Sequence, residues 1–168
     1  MSAPVTSGTI DEEFVRNWSS RYPLGDLERD LLERVGPTAA KRGYFTRADL
    51  LAVGRWKSTR VLSRLNSNSD EDIEDITRVA LSAPNRLKHR ILHLLAGVQT
   101  PVASALLTVW NADMFTVTDV RAMETLRAHG EFSGPDPRYT PYLALCRDIA
   151  TRSSMRSANS RSCALDVE

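Results

Sequence analysis

Hydrophobic residues recur along the chain at intervals of three and four positions, the spacing of one face of an α-helix. The pattern predicts buried helix faces at Leu27, Leu31, Leu32 and Val35, at Leu87, Ile91, Leu94 and Leu95, and at Val102, Leu106, Val109 and Trp110. No stretch sustains the two-residue alternation of a strand, because the segment 115–117 is too short to support a sheet. The chain is therefore expected to be all-α with no significant sheet.

Helix starts are marked by side chains that can accept a hydrogen bond from free backbone N–H groups. Thr46, with Asp49 three positions later, has the spacing of a capping box. Ser69 precedes an acidic first turn, and Asp119 or Thr118 stands before a further helical pattern. These residues are predicted to begin three helices.

Glycine and proline mark the predicted helix ends. Gly36-Pro37 is expected to stop the helix that carries Leu27 to Val35, and Gly43 to end a short helical segment over residues 38–42.

The stretch LLAGVQTPVASALL, residues 94–107, combines an end signal with a start signal. Gly97 can adopt the left-handed conformation that ends a helix, and Pro101 suits a first helical turn. Gln99 or Thr100 can cap the second helix, so the pattern predicts a tight hairpin within residues 87–110. The free amides at its second helix would attract anions such as phosphate. An ordinary turn between two helices explains the same residues.

Composition places the 168 residues among globular proteins, with 42% hydrophobic and 26% charged residues. Two cysteines are too few for a disulfide framework or a cysteine-rich metal site. No apolar run approaches the roughly 20 residues that span a bilayer. We therefore expect a cytoplasmic, monomeric protein with one domain over residues 1–151 and a polar, mobile Ser/Arg-rich tail over residues 152–168.

The net charge of +1 hides a separation of charge along the chain. Seven Lys or Arg lie between residues 38 and 64, and five acids occupy residues 70–75. Arg55, Lys57 and Arg60 flank Trp56, a combination that suits nucleic-acid backbones. Solvated helix faces of alternating sign are the alternative interpretation.

Trp56, Trp110 and Tyr44 are candidates for stacking on a nucleic-acid base. Aromatic residues in helical patterns also commonly belong to a core. His89 and His93 stand four apart, a metal-binding spacing, but no third ligand is near in the sequence, so no metal site is predicted.

The hairpin LAGVQTPVA, residues 95–103, and the acid-bearing turn FTVTDVR, residues 115–121, together resemble the helix-hairpin-helix DNA glycosylase superfamily, the HhH-GPD fold. The firm resemblance covers about forty residues, 87–126. It implies an all-helical HhH-GPD-like domain that binds double-stranded DNA.

The resemblance also implies a division of roles. The amides of Gly97, Val98, Gln99 and Thr100 would hold a DNA phosphate, with a bound monovalent cation able to assist. Asp119 would be the catalytic acid, facing a base flipped from the duplex during hydrolysis of the N-glycosidic bond.

Departures from the family pattern limit the chemistry that the resemblance implies. Pro101 stands where bifunctional members carry a lysine nucleophile, so the resemblance implies a monofunctional glycosylase without lyase activity. The second hairpin glycine is replaced by Gln99, and the histidine that usually follows the acid by Arg121. The four cysteines of iron–sulfur members are missing, so no cluster is expected. A catalytically inactive DNA-binding module and a helical protein–protein adaptor are the alternatives. DNA binding would associate the protein with the nucleoid.

Overall fold

A computed structural model of the chain describes residues 10–21 and 23–163, with side chains up to Ser153. These residues form helices, turns and loops and include no strand, which confirms the all-α prediction. No helix among them is both long enough and apolar enough to cross a membrane. The chain divides into two compact units. We call Leu24–Thr118 the central unit, and Met1–Pro23 with Asp119–Glu168 the terminal unit.

The central unit is a succession of short helices. They are α2 (Asp26–Asp30), a π-helical turn (Leu31–Val35), α3 (Gly36–Arg42), α4 (Arg47–Lys57), a 3₁₀ turn (Thr59–Val61), α5 (Leu62–Asn66), α6 (Asp70–Ser82), α7 (Asn85–Leu92) and α8 (Thr100–Trp110). All residues from Val102 to Leu107 are buried, so α8 forms the middle of the core. It packs against α3, α4, α7 and the π-helical turn.

The predicted helix starts of the central unit are present. Thr46 and Asp49 form the reciprocal capping box at the start of α4. The Ser69 hydroxyl accepts the Asp72 N–H at 3.0 Å and begins α6. Gly43 ends α3 with a φ of 87°, the left-handed conformation expected there.

The prediction that Gly36-Pro37 stops a helix was wrong. The helical backbone continues from α2 through the π-helical turn into α3. Pro37 lies in the first turn of α3, and the wider π turn directly precedes it. A proline lacks an N–H and collides with the carbonyl four residues earlier, so a wider turn lets the helix continue.

The terminal unit contains α1 (Glu12–Arg21), α9 (Val120–Ala128) and α10 (Tyr139–Cys163). Glu131 links its segments, because its carboxylate accepts the Ile10 N–H at 2.8 Å and an Arg152 N–H at 2.8 Å. The predicted domain boundary at residue 151 falls inside α10, whose backbone continues to Cys163. Residues 164–168 of the predicted tail lie outside the described residues.

Candidate functional site

The hairpin is a turn of seven residues between α7 and α8. Gly97 has a φ of 82°, the left-handed conformation that the sequence predicted. The first helix ends earlier than predicted, at Leu92 rather than at Gly97. Leu94 consequently lies in the turn and is 71% exposed, which corrects its prediction as a buried residue. Leu95 is buried as predicted.

The second helix of the hairpin begins as its sequence indicates. Gln99 is the N-cap of α8 and makes no side-chain capping bond, and Pro101 lies in the first turn. Thr100 is half-buried and Gln99 is exposed. Val98 is fully buried, and its N–H donates to the Leu95 carbonyl at 3.1 Å. The Val98 amide is therefore used within the turn, whereas the start of α8 lacks a side-chain cap.

Asn68, a residue that the sequence reasoning missed, fixes the hairpin in place. Its side-chain amide donates to the Ala96 carbonyl at 3.0 Å, and its side-chain oxygen accepts the Ala96 N–H at 2.8 Å. Next to this pair, a Cβ on Gly97 would lie 2.9 Å from the Arg64 Cβ and 3.1 Å from the Leu65 nitrogen. Only glycine leaves room for the hairpin to approach α5 this closely.

Leu65 brings the hairpin together with the basic end of α4. Its side chain lies against Gly97 and also against Gly54, where an added Cβ would be 2.5 Å from its Cδ1. The neighbours Arg55 and Arg64 are both exposed. Arg64 was not singled out from the sequence, although it belongs to the cation-rich segment 38–64.

The other predicted basic residues differ in exposure. Arg60 is exposed in the 3₁₀ turn, and Lys57 is half-buried at the end of α4. The 3₁₀ turn packs against α4 and α5. Arg55, Arg60 and Arg64 therefore belong to one packed group of short elements that also supports the hairpin.

The three candidate stacking residues lie in different segments of the central unit. Trp56 is half-buried in α4. The Tyr44 ring lies 4.9 Å from the Arg42 guanidinium and 4.6 Å from that of Arg78. The structure does not bring Tyr44 and Trp110 to a shared set of contacts.

Trp110 takes part in a buried polar arrangement that the sequence reasoning missed. The Lys88 ammonium lies 4.8 Å from the Trp110 ring centroid. It also donates to the Leu81 carbonyl and, at 2.7 Å, to the Ala83 carbonyl. Burial lowers the pKa of Lys88, and these carbonyls at the end of α6 hold its charged form. Lys88 therefore ties α6, α7 and α8 together.

Asp119 is the N-cap of α9 and is exposed. Its carboxylate accepts the Ala122 N–H at 2.8 Å, so the capping role that Asp commonly plays is present. The preceding residue, Thr118, is buried, and its N–H donates to the Ser104 hydroxyl oxygen at 3.1 Å. Because Ser104 belongs to α8, the helix that starts at the hairpin holds the residue before the acid.

His89 and His93 face each other edge to face, with ring centroids 5.4 Å apart. Burial lowers the pKa of both imidazoles, and the His93 and Arg90 charges lower that of His89 further. Within the part of the chain that the structure describes, no group of three or more His, Cys, Asp or Glu residues is arranged to hold a metal ion.

Comparison with protein-family models, with curated proteins and with solved structures found no match to this chain. A functional proposal therefore depends on the residues themselves and on the hydrogen bond between Thr118 and Ser104 of α8.

Proposed function

We propose that this chain binds the sugar–phosphate backbone of duplex DNA through the hairpin, and that Asp119 serves hydrolysis of an N-glycosidic bond, as in HhH-GPD DNA glycosylases. The observation that supports this most is the hydrogen bond from Thr118 to Ser104. Through it, one helix both begins at the candidate phosphate-binding turn and holds the residue next to the candidate acid.

Binding to the backbone follows from charge and from free amides. The start of α8 lacks a side-chain cap, so the N–H of the half-buried Thr100 can face an anion, whereas Pro101 has no N–H. The helix dipole favours negative charge there. Arg55, Arg60 and Arg64 add exposed positive charge on the elements that support the hairpin. None of these groups reads a base edge, so we expect binding with little sequence preference.

Asp119 has the properties of a residue that stabilises positive charge. Its carboxylate accepts the N–H of Ala122 and lies at the start of α9, where the helix dipole interacts favourably with negative charge. We propose that this carboxylate stabilises the positive charge that develops on deoxyribose as the bond to the base breaks, after which water adds to the sugar. Pro101 at the start of α8 offers no amine, so we propose hydrolysis without lyase chemistry.

A DNA-binding module without catalysis is the second candidate. It is favoured by the same contact, because accepting the Ala122 N–H is already a sufficient structural role for an aspartate at a helix start. The two candidates share the binding surface and differ only in whether a base is removed.

The binding surface is tested by anisotropy of a fluorescein-labelled duplex at several salt concentrations. We expect the double variant Arg55→Ala/Arg60→Ala to bind more weakly and to reduce the slope of log affinity against log salt by about 2, one unit for each phosphate contact. The matched control is Arg29→Ala/Lys41→Ala, which removes the same charge from exposed positions of α2 and α3. An equal loss in both double variants, or no binding by the wild type at low salt, would contradict the proposed surface and favour a protein–protein adaptor.

Catalysis is tested with duplexes that carry uracil, hypoxanthine, 8-oxoguanine or an alkylated purine, and with alkaline cleavage to reveal abasic sites. Asp119→Asn keeps a good N-cap but removes the charge, so excision should fall at least about a hundredfold while duplex affinity is retained. Ser69→Asn, the corresponding change at the N-cap of α6, should leave excision unchanged. Full activity of Asp119→Asn would refute the assigned role, and duplex binding without any abasic product would favour the second candidate.

A further inference from the structure

The terminal unit contains a cavity of about 490 Å³ that has no part in the proposed DNA-binding surface. Residues from α1, α9 and α10 line it, together with the residue that follows α9. They are Phe14, Trp18, Ala122, Thr125, Leu126, Ala128, His129, Tyr142 and Cys146. Small-molecule sites in proteins typically measure about 300–1,000 Å³, so the cavity has the size of a ligand site.

The chemistry of the wall favours an uncharged ligand. The lining contains no Asp, Glu, Lys or Arg. Burial raises the pKa of the Tyr142 hydroxyl and that of the Cys146 thiol, so both remain protonated at neutral pH. A charged ligand would lose its hydration here without meeting an Asp, Glu, Lys or Arg side chain in the lining, which is unfavourable.

The rings of the wall favour a planar ligand. Phe14 lies 5.9 Å from Trp18 and 4.5 Å from His129 between ring centroids, the latter edge to face. Although Trp18 lines the cavity, it is 57% exposed. A flat apolar molecule would cover part of this exposed ring and would stack or meet it edge to face.

One polar pair would determine how a ligand is oriented in the cavity. The Tyr142 hydroxyl and the Cys146 sulfur are hydrogen-bonded to each other on α10. The pair can form a hydrogen bond with one polar substituent of a ligand, whereas Phe14, Trp18 and Leu126 offer apolar surface. This combination of a largely apolar wall and a small polar group is typical of small-molecule sites.

We propose that this cavity binds an uncharged, planar aromatic molecule, with its rings between Phe14, Trp18 and Leu126 and a polar substituent at the Tyr142–Cys146 pair. The cavity shares no residue with the hairpin or with the basic group of the central unit, although its Ala122 donates the N–H that Asp119 accepts. Probe binding therefore tests this inference separately from duplex binding.

The test uses N-phenyl-1-naphthylamine, an uncharged aromatic probe whose fluorescence rises in apolar surroundings, titrated into the full chain. We expect a saturable increase with one probe per chain. Ala122→Phe, which places a ring in the cavity from α9, should weaken binding at least tenfold. The matched control is Ala144→Phe, on an exposed position of α10 outside the lining, which should bind as the wild type does.

A second readout places the probe beside the polar pair. In a Cys163→Ser background, bound probe should slow alkylation of Cys146 by iodoacetamide, and Trp18→Ala should remove this protection together with most of the binding. Circular dichroism of each variant establishes that it is folded. The proposal would be overturned if probe binding did not saturate, or if Ala122→Phe bound the probe as well as the wild type does. It would also be overturned if the wild type were a dimer that takes up no probe and that dissociates in Trp18→Ala.

Discussion

The two units of the chain are packed in different ways. In the central unit, backbones approach so closely at two places that glycine is required there, where Gly36 meets the Val109 carbonyl and where Gly97 meets α5. Gly25 and Gly43 of the same unit have open space around them. In the terminal unit, the described glycines Gly130 and Gly134 have open space around them. There α1 buries none of its own residues, and Phe14 is only half-buried.

The difference in packing suits the two units to different functions. Close-packed interiors resist deformation, so the central unit can hold a turn such as the hairpin in one geometry. A unit with half-buried aromatic residues retains unfilled space and exposed apolar surface, which a ligand can use. The contrast in packing should be measurable in the free energy of unfolding of single variants.

The largest loss of stability is expected for Gly36→Ala. The new Cβ would lie 1.8 Å from the Val109 carbonyl oxygen, so α3 and α8 would have to separate. Such overpacking against backbone should lower the free energy of unfolding by about 4 kcal/mol or more, measured by urea denaturation. Gly25→Ala is the control, because nothing lies within 4 Å of its position, and replacing this N-cap glycine should cost about 1 kcal/mol or less. A Gly36→Ala protein as stable as the wild type would contradict the tight packing of the central unit.

The sequence predicted most of the helix starts because those signals are local. Thr46, Ser69 and Asp119 each satisfy a backbone N–H three residues away, a relation that is visible in the spacing alone. The continuation of the helix through Gly36-Pro37 was not predictable in this way. Gly36 is needed for its contact with Val109, which lies 73 positions later, and no local pattern reveals such a contact.

A smaller loss of stability is expected for Lys88→Met. The change keeps an apolar stem of similar length but leaves the Leu81 and Ala83 carbonyls without the ammonium that now binds them. Loss of bonds to buried groups should cost about 1–3 kcal/mol, and Trp110 fluorescence should change because the cation leaves its ring. Lys41→Met, at an exposed position of α3, should stay within about 0.5 kcal/mol of the wild type. If Lys88→Met had the same free energy of unfolding as the wild type, these polar contacts would add little to the stability of the central unit.

The candidate site shows the same limit of sequence reasoning. The conformation of Gly97 and the capping by Asp119 follow from residue type and position, and both were predicted. Asn68 was missed because its partner, Ala96, is 28 positions away and offers only backbone atoms. Lys88 was missed because a lysine in a helical pattern is usually solvated, whereas here three helices surround it.

The smallest effect is expected for Trp18→Ala. With 57% of its surface already in contact with solvent, this ring removes little apolar area from water, and Phe14 is its aromatic neighbour at 5.9 Å. The free energy of unfolding should therefore fall by less than about 1 kcal/mol. Leu106→Ala, at a fully buried position of α8, should cost about 2–5 kcal/mol under the same urea denaturation. If the two variants lost equal stability, the terminal unit would be as dependent on its aromatic contacts as the central unit is on its core, and the contrast between them would be lost. Addition of N-phenyl-1-naphthylamine should raise the free energy of unfolding of the wild type but not that of Trp18→Ala, because a ligand in the cavity stabilises only the protein that binds it.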